Sequence, residues 1–243
     1  GFNDVRGGGH FSGRITAPIV FAGSVAKQIL KQKGIVIGAH IQSIKDVYDD
    51  SFGVDISSQD IENMLQQQYP TLNSHVFEKM QATIEEARIN CDSVGGMIEC
   101  AILNVPAGIG NPFFDSIESH LSPLLFSIPA VKSVSFGLGE KITELYGHEA
   151  NDCYYYDDEK VKTKTNHNGG ITGGISNGMP IIFRVGIKPT PSISQVQQTV
   201  NIKTKENTEL EIIGRHDPCI VPRAVVVVES MAALGILDMM KDI

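Results

Sequence analysis

The 243-residue chain is 42% hydrophobic and 20% charged, which is enough apolar material for a sizeable core. Its formal net charge is −8, and no basic tract is long enough to track a nucleic-acid backbone, so a nucleic-acid binder is excluded. No apolar run of spanning length is free of charge, because 224–240 contains Glu229 and Asp238; no membrane segment is expected.

Cys91, Cys100, Cys153 and Cys219 form no C-x-x-C pair, and a chain of this size needs no disulfide staple. Reduced thiols in a cytoplasm are therefore expected. The chain opens Gly-Phe-Asn-Asp, without Met, directly in a glycine-rich loop. An upstream segment is expected to be missing, and 1–243 is read as one N-terminally truncated domain.

Residues 4–14 hold four Gly among two Arg, a His and a Ser, a donor-rich loop whose backbone N–H groups can approach an anion. It matches neither nucleotide-loop spacing. A helix should run from Thr16–Pro18 to Gly34, and 35–43 read as a β-branched strand containing His40. That histidine is expected to be half-buried and satisfied rather than a ligand. Residues 44–58 read as loop, followed by helices at 59–68, capped by Ser58, and at 75–90. Asp92-Ser93-Val94-Gly95-Gly96 should turn the chain into a strand at 97–105.

A helix is expected from Pro112 to Ile128, with Phe114, Ile117, Leu121 and Leu125 on one side and a bend at Pro123. A strand follows at 130–136. Residues 140–168 are the most polar part and read as a long mobile excursion. Their acidic cluster lacks regular ligand spacing, so no metal is expected. The glycine-rich run 166–178 should hold no regular element. A strand at 180–187 leads into Lys188-Pro189-Thr190-Pro191-Ser192, and two short strands (198–204, 208–213) flank a turn at Glu206-Asn207. The last helix should run from Pro222 to Met240. The order of elements suggests α+β with antiparallel sheets rather than a doubly wound fold.

Two Arg, a His and an Asp fall together in the string 214–223, Gly-Arg-His-Asp-Pro-Cys-Ile-Val-Pro-Arg. It reads as a loop entering a helix N-terminus, with Pro222 in the first turn. Unpaired N–H groups there favour an anion, and Arg215 and Arg223 can add bidentate contacts. Asp217 among these cations should stay ionised and could accept a proton. A plain helix cap with an Arg–Asp ion pair is the competing reading.

Six strings in order, DVRGGGHFSGR (4–14), DSVGGMIE (92–99), NVPAGIGNPFFD (104–115), NHNGGITGGISNG (166–178), IKPTPSI (187–193) and GRHDPCIVPRAVVVVE (214–229), resemble the chorismate synthase family. The resemblance implies a helical layer sandwiched between antiparallel sheets and a homotetramer. It implies a lyase that eliminates phosphate from 5-enolpyruvylshikimate 3-phosphate in a trans-1,4 sense, giving chorismate. Reduced FMN would be the cofactor, with NADPH as a candidate reductant. By the match, His10, Phe11, Ser12, Pro129, Ala130, Gly173, Lys188, Pro189, Thr190, Pro191, Ser192 and Arg215 contact FMN. Ser12, Arg14 and Arg215 bind substrate, and Asp217 assists proton removal. The sequence departs from the common pattern at His10, where an Arg is usual, and at Gly13, Ile15, Pro191 and Val226. A non-catalytic flavin- or anion-binding module on the same scaffold is the alternative. Two family motifs that carry acid histidines, Gly-Glu-Ser-His-Gly and Pro-Gly-His, do not occur in 1–243. The isolated chain is therefore expected to form little or no chorismate in an anaerobic assay with reduced FMN and substrate; robust turnover would refute that.

Overall fold

A computed structural model describes residues 8–214 and 217–240. Two 3-10 turns, Gly9–Phe11 and Gly13–Thr16, lead into α1 (Ala17–Gln32). Strands β1 (Val36–Ile44) and β2 (Val47–Tyr48) are followed by α2 (Ser58–Leu65) and α3 (Ser74–Ile89). Next come β3 (Gly96–Leu103), α4 (Ile117–Phe126) and β4 (Val131–Phe136). A 3-10 turn (Gly139–Glu144) and the single-turn α5 (Gly147–Ala150) precede the hairpins β5 (Tyr154–Asp157)–β6 (Lys160–Thr163) and β7 (Ile171–Thr172)–β8 (Ile175–Ser176). The chain continues through β9 (Ile181–Ile187), β10 (Gln197–Asn201) and β11 (Glu206–Leu210) to α6 (Val221–Met239).

Five strands form one antiparallel sheet in the order β2-β1-β3-β9-β4. Its β-branched residues fit a pleated, buried surface. Ile98, Cys100 and Ile102 point to one face, where α1, α4 and α6 bury Leu30, Leu121, Leu125, Val228 and Ile236. Ala101 and Leu103 point to the other, beneath Ile61 and Met64 of α2. Side chains alternate between faces with period two, so one strand serves both layers. The fold is α+β with antiparallel sheets, as the sequence suggests. Among the described residues the helical layer is bounded by this one large sheet; the outer side of α1 exposes Phe21, Val25 and Ile29.

Three directions decide where the loops meet. The carbonyl of Leu30, near the end of α1, accepts the N–H of Ile35, and Val36 pairs with Leu103. So α1 ends where β1 begins and doubles back along it. The Pro218 carbonyl accepts the N–H of Val94, which places the start of α6 at the other end of the sheet. Asp238, near the end of α6, lies 3.4 Å from His120 near the start of α4. Helices α1 and α6 therefore run side by side and present their N-termini at the same end, where Ile44, Gly96 and Ile187 lie in register. Their crossing point is Gly23 against Ser230: a Cβ on Gly23 would stand 2.6 Å from Ser230 Cα. Nearby, Lys27 meets Glu229 at 2.5 Å, and Glu229 also accepts the N–H of Ala39 on β1.

Most expected elements are found, with boundaries shifted by a few residues, and the differences have plain causes. Helix α2 is capped by Ser57, whose hydroxyl accepts from Asp60 N while Asp60 accepts from Ser57 N. The helix expected from Pro112 starts only at Ile117, because Ser116 is its cap; Phe114 therefore lies outside the stripe and is exposed. The excursion at 140–168 holds regular elements: a 3-10 turn, α5 and the β5–β6 hairpin. Its anchor is Asp152, which accepts from Thr165 Oγ1, His167 N, Asn168 N and Asn168 Nδ2. Burial would raise the Asp152 pKa, but the Asn168 and Thr165 bonds outweigh it and hold it below the usual carboxylate range. The glycine-rich run does hold a regular element. Gly173 and Gly174, both at positive φ, make the two-residue turn of the β7–β8 hairpin. The last ribbon turns at 202–205 rather than at Glu206-Asn207.

Replacing Gly23 by Val forces α1 away from α6. A loss of about 1–3 kcal/mol in denaturant unfolding is expected, from overpacking a tight contact. Gly53 is the control, because a Cβ added there would meet no atom within 4 Å. It should tolerate Ala within about 0.5 kcal/mol.

Candidate functional site

The end of the sheet that receives both helix N-termini also collects most of the sequence-predicted residues. His10, Phe11, Ser12 and Arg14 occupy the two 3-10 turns immediately before α1. The Ser12 hydroxyl accepts from Arg14 N at 3.2 Å and lies 3.3 Å from Arg14 Nη1, which fixes the turn. Gly8 and Gly9, at positive φ, make the preceding bend, and Phe11 is 87% exposed.

Pro129 and Ala130 join α4 to β4. Ala130 sits at φ 73, a left-handed conformation costly for a residue with a Cβ, and its carbonyl accepts the N–H of Lys188 at 3.0 Å. That bond joins the two loops at the ends of β4 and β9. The turn at 93–95 then ties three segments together. Ser93 Oγ donates to the Thr190 carbonyl at 2.7 Å, and Val94 N donates to the Pro218 carbonyl at 2.8 Å. Gly95 lies so close to the Ile187 carbonyl and Pro189 that no Cβ fits between them. Thus Pro129, Ala130, Lys188, Pro189 and Thr190, with Pro191 and Ser192 following, share one corner with Asp217.

Asp217 forms an ion pair with Arg223, one turn into the helix entry, and its other oxygen accepts from Cys219 N at 3.3 Å. Burial pushes the neighbouring Cys219 thiol up to about 11, so it is not a thiolate nucleophile. A cavity of about 710 Å³ opens between α3 and the start of α6, lined among others by Tyr69, Phe77, Gln81, Glu85, Asp217 and Arg223. Tyr69 and Phe77 stack in it at 4.1 Å. Its lining includes Asp217 but neither Arg14 nor Lys188.

One predicted residue is not part of this cluster. Gly173 caps a hairpin at the opposite end of β9, on the order of 20 Å of strand away from Lys188. There the Gly174 carbonyl accepts from Ile117 N, at the start of α4. Arg215 lies outside the described residues. The Tyr69–Phe77 wall has no counterpart among the residues expected from sequence. The helical spacing of Val76, Met80 and Ile84 marks α3 as core, and only the docked start of α6 turns one side of it into a cavity lining.

The loops fit a phosphate-bearing cofactor on one direct observation. The Thr190 hydroxyl is buried and has no hydrogen-bond partner, a donor kept waiting for an acceptor. Ser12, Arg14, the N-terminus of the 16-residue α1 and Lys188 carry further donors at the same end of the sheet.

An α+β scaffold gathers two helix N-termini and several glycine-shaped loops at one sheet end, an arrangement able to receive anionic groups. Comparison with known proteins narrows this. The family model for chorismate synthase matches residues 1–241. The chorismate synthase of Pyrococcus abyssi (strain GE5 / Orsay) is 48% identical over 239 residues, 98% of this chain and 65% of that protein. That of Korarchaeum cryptofilum (strain OPF8) is 46% identical over 238 residues, again 98% and 65%. A crystal structure of a chorismate synthase superposes with a TM-score of 0.79 at 28% identity, covering 95% of this chain and 64% of the other. The chain belongs to the chorismate synthase family, and it spans about 65% of the length of these curated relatives.

Replacing Ser93 by Ala leaves the Thr190 carbonyl without its donor. A loss of about 1 kcal/mol in global stability is expected. Faster backbone amide exchange confined to 190–194 is the sharper readout; unchanged exchange there would mean that Ser93 does not hold the loop.

Proposed function

We propose that this chain provides the cofactor-binding and proton-handling part of a chorismate synthase. The reaction is the elimination of phosphate from 5-enolpyruvylshikimate 3-phosphate, with a C–O bond and a C–H bond broken on opposite faces and no net change in oxidation state. The observation that supports it most is the junction at 93–95, which ties the 188–192 loop to Asp217. The reading also rests on family membership and on a substrate with a phosphate and two carboxylates, which calls for cations concentrated in a protein of net charge −8.

Each residue has a role that its position supports. Lys188, Thr190 and Ser192, with Ser12 and the loop about His10 and Phe11, would hold the phosphate and ring of FMN. Pro129 and Ala130 shape the wall beside them. Arg14, and Arg215 by the family match, would take the substrate's anionic groups and favour the departing phosphate. Asp217, paired with Arg223, would be the group to accept a proton next to the loop junction. Reduced FMN, when bound, supplies the electron density that phosphate departure demands. NADPH as its reductant, a homotetrameric assembly and a cytoplasmic location belong to the same proposal. No described helix is long and apolar enough to cross a membrane.

The test is anaerobic turnover of 5-enolpyruvylshikimate 3-phosphate by the protein that carries this chain. Asp217→Asn should lower kcat by about 10²-fold or more while FMN affinity changes little. Lys188→Ala should weaken FMN binding instead. Tight FMN binding by the wild type without chorismate formation would replace this reading by a binding module.

A further inference from the structure

On the α2 side of the sheet, away from the loops above, three charged side chains stand in one cross-strand row. His40 of β1 is in register with Glu99 of β3, and Glu99 with Arg184 of β9. His40 and Glu99 are fully buried. The His40 ring bridges two carboxylates: Nδ1 is 3.2 Å from Asp49 Oδ2 and Nε2 is 3.0 Å from Glu99 Oε2. The other contacts of both carboxylates are with donors. Glu99 accepts from Phe52 N at 2.7 Å and meets Arg184 Nη2 at 2.6 Å. Asp49 accepts from Leu72 N at 2.6 Å and Asn73 N at 3.0 Å. Arg184 also donates to the Gly137 carbonyl.

Every other contact of the two carboxylates is with a donor, so the ring is the one acceptor either could meet as an acid; two carboxylates on opposite ring nitrogens favour an imidazolium that donates to both. Asp49, His40, Glu99 and Arg184 then form a closed set of two negative and two positive charges. Burial of four charges is tolerated when each is paired and hydrogen-bonded. Asp49 and Glu99 are the titratable groups facing the ring; Arg184 stands behind Glu99, Phe52 closes the ring with an edge contact at 4.6 Å, and α2 presents Ile61 and Met64 to the neighbouring Gly38.

The cluster has a lever. Leu72 and Asn73 lead directly into α3, and Asn73 is its N-cap, accepting from His75 N. Just before them, the Pro70 carbonyl accepts the N–H of Ile41 on β1, so the segment lies along the sheet edge. Helix α3 and Tyr69 form one wall of the cavity beside Asp217. We infer that His40 is a buried cationic pin, which holds the start of α3 and with it that cavity wall for as long as the ring keeps both protons.

Burial alone would lower the pKa of His40, but the bonds and charges of Asp49 and Glu99 outweigh it and raise the pKa above 6.5. A raised folded-state value gives stability that is complete below the unfolded value and lost as pH rises through the folded one. The device therefore holds fully below about 6.5 and releases as pH rises through the higher folded-state value.

The experiment is a pH titration of the full chain by NMR, reading the His40 ring nitrogens and the amide exchange of Leu72 and Asn73. At pH 7 both ring nitrogens should carry protons. Above the His40 midpoint, Leu72 and Asn73 should lose protection in a step beyond the ordinary base-catalysed rise. His40→Gln should show low protection at every pH. Should that variant not fold, Asp49→Asn removes one charge and keeps an acceptor; it should move the His40 midpoint down by about one unit or more. A ring with one unprotonated nitrogen at pH 7, an unmoved midpoint in Asp49→Asn, or exchange at Leu72 and Asn73 without the extra step would each overturn the inference.

Discussion

The site depends on one close approach of backbone to backbone. The turn at 93–95 enters β3 with no side chain at Gly95, and this lets the Ile187 carbonyl and Pro189 come against it. Two hydrogen bonds from the same turn then hold the Thr190 and Pro218 carbonyls. Segments as distant in sequence as Val94 and Pro218 are thereby fixed to one corner. Closing such long loops has an entropic cost that rises only slowly with length, so a few buried bonds on a rigid sheet can hold them. A Cβ at position 95 would push them apart.

The helices carry the same logic on a larger scale. Gly23 lets α1 lie against Ser230 of α6, and the parallel run of the two helices aims both N-termini at that corner. Glu229 reinforces the arrangement from within the core. Its carboxylate satisfies the N–H of Ala39 on β1 and takes the ammonium of Lys27, so a buried charge is paired and hydrogen-bonded at once. The helix ends and the loops thus converge because packing inside the layer leaves them no other direction. An acidic molecule can in this way hold a local concentration of donors and cations.

The two faces of the sheet serve different ends. The helical face is apolar and presents its loops at one edge. The α2 face carries a row of three charged residues with Asp49 beside it, a costly choice compared with apolar residues of similar volume. What that set gains is connection: it binds the segment before α3, held otherwise by the Pro70 bond to Ile41 and by apolar contact, to three strands. The Asp217 cavity therefore has one wall built on the core of α6 and another hung from a charged cluster.

Much of this was readable from residue order. Periodicity located α1, α3, α6 and the main strands, because amphipathic spacing is a local property. The glycine and arginine strings carried the family, because backbone freedom and anion chemistry restrict which residues serve. The anchoring of 140–168 by Asp152, the start of α4 at Ser116 and the β7–β8 hairpin were not readable, since each rests on a hydrogen bond or turn that competes with propensity. Position in space was decided by tertiary structure alone. Gly173 and Lys188 lie only fifteen residues apart in the sequence of this chain, yet an extended strand puts them at opposite ends of the sheet, while Ser93 and Thr190, ninety-seven apart, touch. Register across strands likewise turned His40, Glu99 and Arg184, which share no motif, into one charged row. Sequence determines which residue types are available and how each segment coils; which of them meet is a matter of long-range pairing, and that is set only when the sheet closes.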